Sequence, residues 1–145
     1  MNAEHPPRVW VAEWLFVACG AWLIGLGCYF IFVRPALLPE DLRYAAANLD
    51  ALQAAAPGIR KWLDLVFTVM GGFMAGAGVL VIYIATCVLP WRLAGALPAM
   101  LLAGVLTVGL MSAVNFALES DFRWLLAAPP LAWFAAVWMY AFRRP

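Results

Sequence analysis

The stretch LVFTVMGGFMAGAGVLVIYIATCVL, residues 65–89, decides the fold class of this chain. Its 25 residues include no charged side chain. As a helix rising about 1.5 Å per residue it would extend about 37 Å, which exceeds the roughly 30 Å hydrocarbon core of a bilayer. A small soluble domain cannot surround so long an apolar helix on all sides. The stretch therefore predicts a transmembrane helix.

Three further apolar runs have similar length and character, and they lie at residues 10–33, 93–118 and 122–142. Glu13 is the only charge in the first of them, and we expect it at the membrane interface near Arg92. Pro129 and Pro130 predict a kink in the last run. The whole chain is 67% hydrophobic and 12% charged, far from the mixture of a soluble domain. The sequence predicts one transmembrane domain over residues 1–145, an all-α integral membrane four-helix bundle.

The loop between the first two runs has the periodicity of an amphipathic helix over residues 40–56. Its apolar residues recur at steps of three and four, and they are Leu42, Ala45, Leu49, Leu52 and Ala56. Glu40 and Asp41 favour the positive N-terminal end of a helix, and Pro57 and Gly58 end it. We expect an amphipathic surface helix in the first extracytoplasmic loop.

The distribution of arginine predicts the orientation. The N-terminus, the second loop and the C-terminus contain one acid, Glu4, against the arginines Arg8, Arg92, Arg143 and Arg144. The arginines of the other two loops are offset by acids. By the positive-inside rule both termini lie in the cytoplasm. The eight arginines against one lysine, with abundant alanine, indicate a bacterial protein and hence the bacterial inner membrane.

Small residues predict how the helices pack. TVMGGFMAGAG, residues 68–78, contains the G-x-x-x-G pair Gly72 and Gly76, and Gly25 belongs to a small face of the first run. Small side chains let two helix backbones approach closely. We expect these glycines to pack the first helix against the second. The same pair is also typical of contacts between subunits, so the sequence leaves open a homo-oligomer or a larger membrane complex.

The stretch SAVNFALESDFRW places polar residues where the third run ends. Ser112, Asn115 and Glu119 lie within about 60° of one another on a helix of 3.6 residues per turn. Arg34 ends the first run and Asp64 precedes the second, so both should lie at the same end, where an arginine fork can hold two carboxylates. The sequence predicts a polar cluster of these five residues, either structural or ligand-binding. The alternative is that headgroup water hydrates each of them separately.

Other classes of function lack the residues they need. A net charge of +1 without a basic stripe argues against a nucleic-acid partner. His5 is the only histidine, and no C-x-x-C spacing occurs among the three cysteines, which are Cys19, Cys28 and Cys87. The sequence thus predicts no metal site and no cofactor. It leaves only carboxylates such as Asp64 and Glu119 for an enzymatic mechanism.

Three stretches resemble the small DoxX-like membrane proteins of bacteria. They are GLGCYFIFVRPALLPE (25–40), MGGFMAGAGVLVIY (70–83) and NFALESD (115–121). The first loop here is longer than in that family, and Asn115 occupies a region where relatives often have an arginine. The resemblance implies a four-helix bundle and no established reaction.

Two functional interpretations follow from these residues. The first is a non-enzymatic accessory or scaffold subunit that works through helix packing among membrane lipids. The second is a binder or carrier of a lipid, a quinone or another small amphipathic molecule, held by the polar cluster at the extracytoplasmic end. A membrane enzyme that uses the carboxylates is a third, less supported by the motifs.

Overall fold

The computed structural model describes residues 10–46 and 48–142, which form six helices. Their bounds are α1 Val11–Phe32, α2 Pro39–Tyr44, α3 Leu49–Ala55, α4 Ile59–Trp91, α5 Ala96–Ala117 and α6 Arg123–Ala141. No strand occurs in these residues. Four helices, α1, α4, α5 and α6, are long and apolar enough to cross a membrane, so this part of the predicted fold is confirmed. The predictions that involve His5, Arg8, Arg143 and Arg144 lie outside the described residues.

The four long helices overlap the four predicted spans, and their ends agree to within three residues except at one start. α4 begins at Ile59 rather than at residue 65, so Arg60, Lys61 and Asp64 belong to its first turns. Near its other end α4 widens into a π-helical turn at Ile84–Val88. The apolar run alone could not predict this earlier start, because arginine and lysine are good helix formers although they are not apolar.

The predicted loop helix at 40–56 is wrong in its continuity, because the structure has two short helices there. Ala46 adopts a left-handed conformation, with φ of 50°, which ends α2. Asn48 then starts α3, because its side-chain oxygen accepts a hydrogen bond from the amide of Ala51 at 2.7 Å. Asn48 is the sequence signal for the start of a second helix, and the prediction missed it because the apolar periodicity continues across this position.

Helix α1 packs against both α4 and α6, and α6 packs in turn against α5. The contact of α1, α5 and α6 centres on Trp133, which is fully buried. Its ring meets that of Phe16 edge to face at 5.4 Å, and its Nε1 donates to the carbonyl oxygen of Met100 at 2.9 Å. One side chain of α6 therefore joins two other helices.

Four glycines bring α1 and α4 together in an antiparallel register. A Cβ atom added at Gly27 would lie 2.5 Å from the carbonyl oxygen of Gly71, and one added at Gly78 would lie 2.5 Å from that of Gly20. Real Cβ atoms do not approach other atoms so closely, so both contacts depend on the missing side chains. The two helix backbones are in direct contact along this face.

Helix α6 continues through Pro129 and Pro130 from Arg123 to Ala141. Both prolines are buried, and neither can donate a backbone hydrogen bond. The carbonyl oxygen of Pro129 accepts from the thiol of Cys19 on α1 at 3.6 Å. The proline pair thus lies inside the contact between these two helices.

Candidate functional site

In the structure Arg34 pairs with a different carboxylate from the two that were predicted. Arg34 follows α1, and its Nη2 donates to the carboxylate of Asp41 on α2 at 3.1 Å, with the arginine side chain only 8% exposed. The guanidinium also lies 3.6 Å from the centre of the Phe67 ring on α4, and near the ring of Phe30. Arg34 makes no ion pair with Asp64 or Glu119, so the expected fork is wrong. Asp41 supplies the carboxylate instead because α2 returns to the end of α1.

Glu119 does not continue the helix face of Ser112 and Asn115. Helix α5 ends at Ala117, and Glu119 has φ of 51°, the left-handed conformation of a helix C-terminal cap. The amide of Glu119 donates to Phe116 at 3.1 Å, and that of Ser120 donates to Asn115 at 3.0 Å. These two bonds define a Schellman motif. The motif turns the exposed Glu119 side chain away from the predicted stripe.

Asn115 and Asp64 do not take part in a shared cluster. The Asn115 amide donates to the carbonyl oxygen of Met111, four residues earlier in α5, at 2.9 Å. Asp64 is exposed on α4. The half-buried Asn115 amide therefore has a hydrogen-bond partner within its own helix. The five residues therefore do not form the predicted cluster, and their predicted functional role has no support from such a cluster.

The structure builds a different polar network at this end, which we call the α2 strap. Glu40 accepts hydrogen bonds from the Ser120 hydroxyl at 3.0 Å and from the Asp121 amide at 3.1 Å. Arg43 also pairs with Asp121, at 3.4 Å, although both side chains are mostly exposed. Together with Arg34 and its partner, these contacts tie α2 to α1 and to the turn between α5 and α6. The sequence around Glu40 indicates only an acid at a helix N-terminus, since nothing local predicts a contact eighty residues away.

Ser112 lies apart from this network, in a groove between α5 and α6. The groove has a volume of about 380 Å³ and is lined by Gly109, Ser112, Ala113, Phe116, Ala127, Pro130, Leu131 and Phe134. The ring of Phe116, one of these residues, meets that of Trp124 edge to face, with 5.1 Å between centroids. We call this feature the α5–α6 groove. Of the five residues of the predicted cluster, Ser112 is the one that lines this groove.

The predicted packing glycines also lie elsewhere than expected. Added Cβ atoms at Gly25, Gly72 and Gly76 would meet no other atom within 4 Å, so none of the three forms the α1–α4 contact. Their role against another chain stays a prediction. A hollow of about 840 Å³ on the outside of α4 is lined by Val69, Gly72, Phe73, Gly76, Ala77, Val79 and Leu80. We call this surface the outer α4 face.

The opposite end of the molecule contains a second group of polar contacts. Glu13 is fully buried and accepts from the amide of Trp10 at 3.1 Å, which is how an acid in the first turn of a helix can satisfy the backbone amide that precedes it. Tyr140 donates to the carbonyl oxygen of Leu89 at 2.7 Å, and Arg92 lies 5.1 Å from the centre of its ring. Glu13 was expected at an interface, and its complete burial was not foreseen.

The described part of the chain contains no group of side chains arranged for metal binding or for dithiol chemistry. No group of three or more His, Cys, Asp or Glu side chains in it is placed to hold a metal ion. Cys19 is buried, whereas Cys28 and Cys87 are exposed on different helices. Comparisons of the chain with protein-family models, curated proteins and solved structures give no match.

Proposed function

We propose that this chain is an integral membrane protein whose four long helices cross the bilayer as a bundle. The large apolar side chains that point outward from these helices support the proposal, among them Phe73 at 78% exposure and Leu131 at 72%. Contiguous surfaces of this kind are rare on soluble monomers. The sequence resemblance to DoxX-like proteins belongs to the same proposal.

We further propose the bacterial cytoplasmic membrane as the location, with both termini inside and the α2 strap outside. The test uses a variant in which all three cysteines are replaced by alanine and one cysteine is introduced. Asn48→Cys, in the first loop, should react in intact cells with a membrane-impermeant maleimide. Ala94→Cys, in the second loop, should react only after lysis. The reverse pattern would invert the topology.

The function that we propose is a non-enzymatic accessory or scaffold subunit that acts through helix contact on the outer α4 face. The observation that carries it is the hollow at Gly72 and Gly76, flanked by the exposed side chains of Val69 and Leu80. Small residues between larger apolar ones form the surface on which another transmembrane helix can pack closely. The same helix already uses Gly71 and Gly78 in this way against α1.

Native mass spectrometry from lipid nanodiscs tests this function. We expect the wild type to appear as a complex, either with itself or with a copurifying membrane protein. The double variant Gly72→Leu and Gly76→Leu should release the monomer, because leucine fills the hollow. Gly25→Leu puts the same side chain on an open position of α1 and is the matched control. A wild type that is strictly monomeric and free of protein partners would contradict the proposal.

A second candidate function is binding or carriage of a small amphipathic molecule. The α5–α6 groove favours it, because Ser112 supplies a hydroxyl at the wall of an otherwise apolar cavity. The groove volume falls in the range of about 300–1,000 Å³ that is usual for small-molecule sites. A ligand retained in the nanodisc by the wild type and lost on filling the groove would support this function.

A further inference from the structure

Helices α4 and α5 each contain a π-helical turn, and the two turns are built alike. They are Ile84–Val88 in α4 and Val105–Gly109 in α5. The amide that follows each turn donates to a carbonyl five residues earlier. The third residue of each turn is a threonine whose hydroxyl donates to the carbonyl four residues earlier, at 2.8 Å from Thr86 and at 2.6 Å from Thr107. The two helices thus widen in the same way at two places.

Each π turn keeps a row of buried side chains in line. Val81, Ala85 and Leu89 are buried and lie four residues apart across the first turn. In a continuous α-helix Leu89 would lie about 80° around the axis from Val81, and the row would leave the core. A π turn holds more residues than an α turn, so it removes much of this drift. The second turn lies between the buried Met100 and Val108 in the same way, so packing maintains both turns.

Residues 89–104, which we call the linking segment, lie between the two π turns. The segment comprises the end of α4, the loop and the first half of α5. Two residues of its loop have a left-handed backbone, Arg92 with φ of 51° and Gly95 with φ of 88°. Helices bend at π turns. The linking segment therefore has a point of bending at each of its ends.

Two aromatic residues of α6 hold the linking segment by its backbone. Tyr140 donates to the carbonyl oxygen of Leu89 at 2.7 Å, and Trp133 donates to that of Met100 at 2.9 Å. The two aromatic residues are seven positions apart, almost two helical turns, so they lie on one side of α6. The net contribution of a single hydrogen bond to stability is modest. Attachments of this kind can open locally while the rest of a protein stays folded.

Glu13 is buried at the end of the bundle where the linking segment lies. Gly20 of α1 contacts Gly78 of α4 in an antiparallel register. Seven residues further along both helices, this register places Glu13 level with Ala85, which belongs to the first π turn. The neighbours of Glu13 along α1 share one buried cluster with residues of the linking segment and of α6. These members of the cluster are Ala12, Phe16, Leu89, Met100 and Tyr140.

We propose that the linking segment is a hinged gate that controls the access of water to Glu13. The gate opens by breaking its two hydrogen bonds to α6, and it swings on the two π turns while α1 and the remainder of α4 keep their glycine contact. In the closed state, which the structure shows, the Glu13 side chain is fully buried. The gate includes no residue of the outer α4 face or of the α5–α6 groove. Its failure would therefore leave both candidate functions standing.

Carbodiimide labelling in lipid nanodiscs tests the gate. A water-soluble carbodiimide with glycinamide as the nucleophile modifies carboxyl groups that water reaches, and peptide mass spectrometry measures the rate at Glu13. We expect Glu13 to react far more slowly than the exposed Glu119. Tyr140→Phe removes one attachment and should raise the rate at Glu13 about three- to tenfold. Tyr83→Phe removes a hydroxyl from an exposed position of α4 and should leave this rate unchanged.

Two labelling results would overturn the proposal. In the first, Glu13 of the wild type reacts as fast as Glu119, which would mean that no gate separates it from water. In the second, Tyr140→Phe reacts at Glu13 no faster than Tyr83→Phe, which would mean that the hydrogen bond to the linking segment does not hold a gate closed.

Hydrogen exchange measured by peptide mass spectrometry shows whether the linking segment moves as a unit. In Tyr140→Phe the amides of residues 93–104 should exchange faster together, while those of residues 20–27 in α1 keep the rate of the wild type. Faster exchange in both regions would mean that the substitution loosens the whole bundle, and the gate would be wrong. Faster labelling of Glu13 without faster exchange in the linking segment would show that water reaches the carboxylate by another route, which would also overturn the proposal.

Discussion

Helix α4 carries two pairs of glycines, and they have opposite environments. Gly71 and Gly78 lie against the backbone of α1, where no Cβ atom fits, while Gly72 and Gly76 have open space around them. Gly71 and Gly72 are adjacent in sequence but about 100° apart around the helix. Glycine content alone therefore does not identify a packing face. The face that packs within the chain repeats every seven residues on both helices.

A seven-residue repeat is what a nearly antiparallel contact requires. Seven residues make almost two turns, so Gly71 and Gly78 fall on one stripe, and Gly20 and Gly27 form the matching stripe on α1. Residues four apart drift across the helix surface and suit contacts at a larger crossing angle. The pair Gly72 and Gly76 is therefore free to serve a partner that crosses α4 differently from α1.

The largest expected loss of stability comes from adding one methyl group to the pair Gly71 and Gly78, which lies against α1. In Gly71→Ala the Cβ would lie 2.6 Å from the Gly27 carbonyl oxygen and 2.8 Å from a side-chain carbon of Ile31. Because the first of these atoms is backbone, the helices must separate, and we expect a loss of about 2–3 kcal/mol in unfolding free energy. Reversible unfolding in mixed detergent micelles, followed by circular dichroism, measures it.

The neighbouring substitution provides the control. Gly72→Ala adds the same methyl group to open space and should be neutral or stabilising by up to about 1 kcal/mol, because alanine has the higher helix propensity. Equal losses for both variants would mean that the two faces do not differ, and the contrast between them would be wrong.

The second prediction extends the contrast to α5, where Gly104 contacts the indole of Trp133. A Cβ at Gly104 would collide with Nε1 and Cδ1 of that ring, and the fully buried ring has little room to move. Gly104→Ala should cost about 2 kcal/mol. In a Trp133→Ala background the colliding ring is absent, so the cost should fall below about 1 kcal/mol. A double-mutant cycle without coupling between the two residues would contradict this account.

The sequence predicted the fold well because hydrophobic length is a strong and local signal. Four uncharged or nearly uncharged runs allow few alternatives in lipid, and all four became long helices. The packing of α1 against α4 was predicted, but with the wrong residues, because the G-x-x-x-G pair of Gly72 and Gly76 lies on another side of α4. Only the match between two seven-residue repeats, at Gly20 and Gly27 and at Gly71 and Gly78, could have indicated it.

The polar end was harder to predict because its partners are determined by backbone turns. The interpretation of Glu119 assumed that α5 continues, and two residues of difference at its end removed that side chain from the stripe. Arg34 was correctly expected to need a carboxylate, but Asp41 is close only because α2 folds back after α1. Ser112 remained on the inner side of α5, since its position depends on helix periodicity alone.

The third prediction applies the contrast between enclosed and open positions to the two arginines of the polar end. Arg34→Gln removes a nearly buried cation from Asp41 and from the face of Phe67, and we expect a loss of about 1–2 kcal/mol. Arg43→Gln breaks an exposed pair and should change stability by less than about 0.5 kcal/mol. The same unfolding assay measures both, and raising the salt concentration should reduce only the smaller effect. A larger loss for Arg43→Gln would show that the strap is held chiefly from the α5–α6 turn.

The smallest change in stability is expected at Glu119, where the backbone conformation favours glycine but the chain has another residue. Glu119 adopts the left-handed conformation with φ of 51°, which costs a residue with a Cβ about 1 kcal/mol relative to glycine. Glu119→Gly should therefore stabilise the protein, by about 0.5–1 kcal/mol once the greater freedom of glycine in the unfolded chain is subtracted. Glu119→Ala removes the same carboxylate but keeps the unfavourable φ, so it should give no such gain. If both variants stabilise equally, the charge and not the backbone is responsible, and the Schellman turn would not depend on the residue at this position.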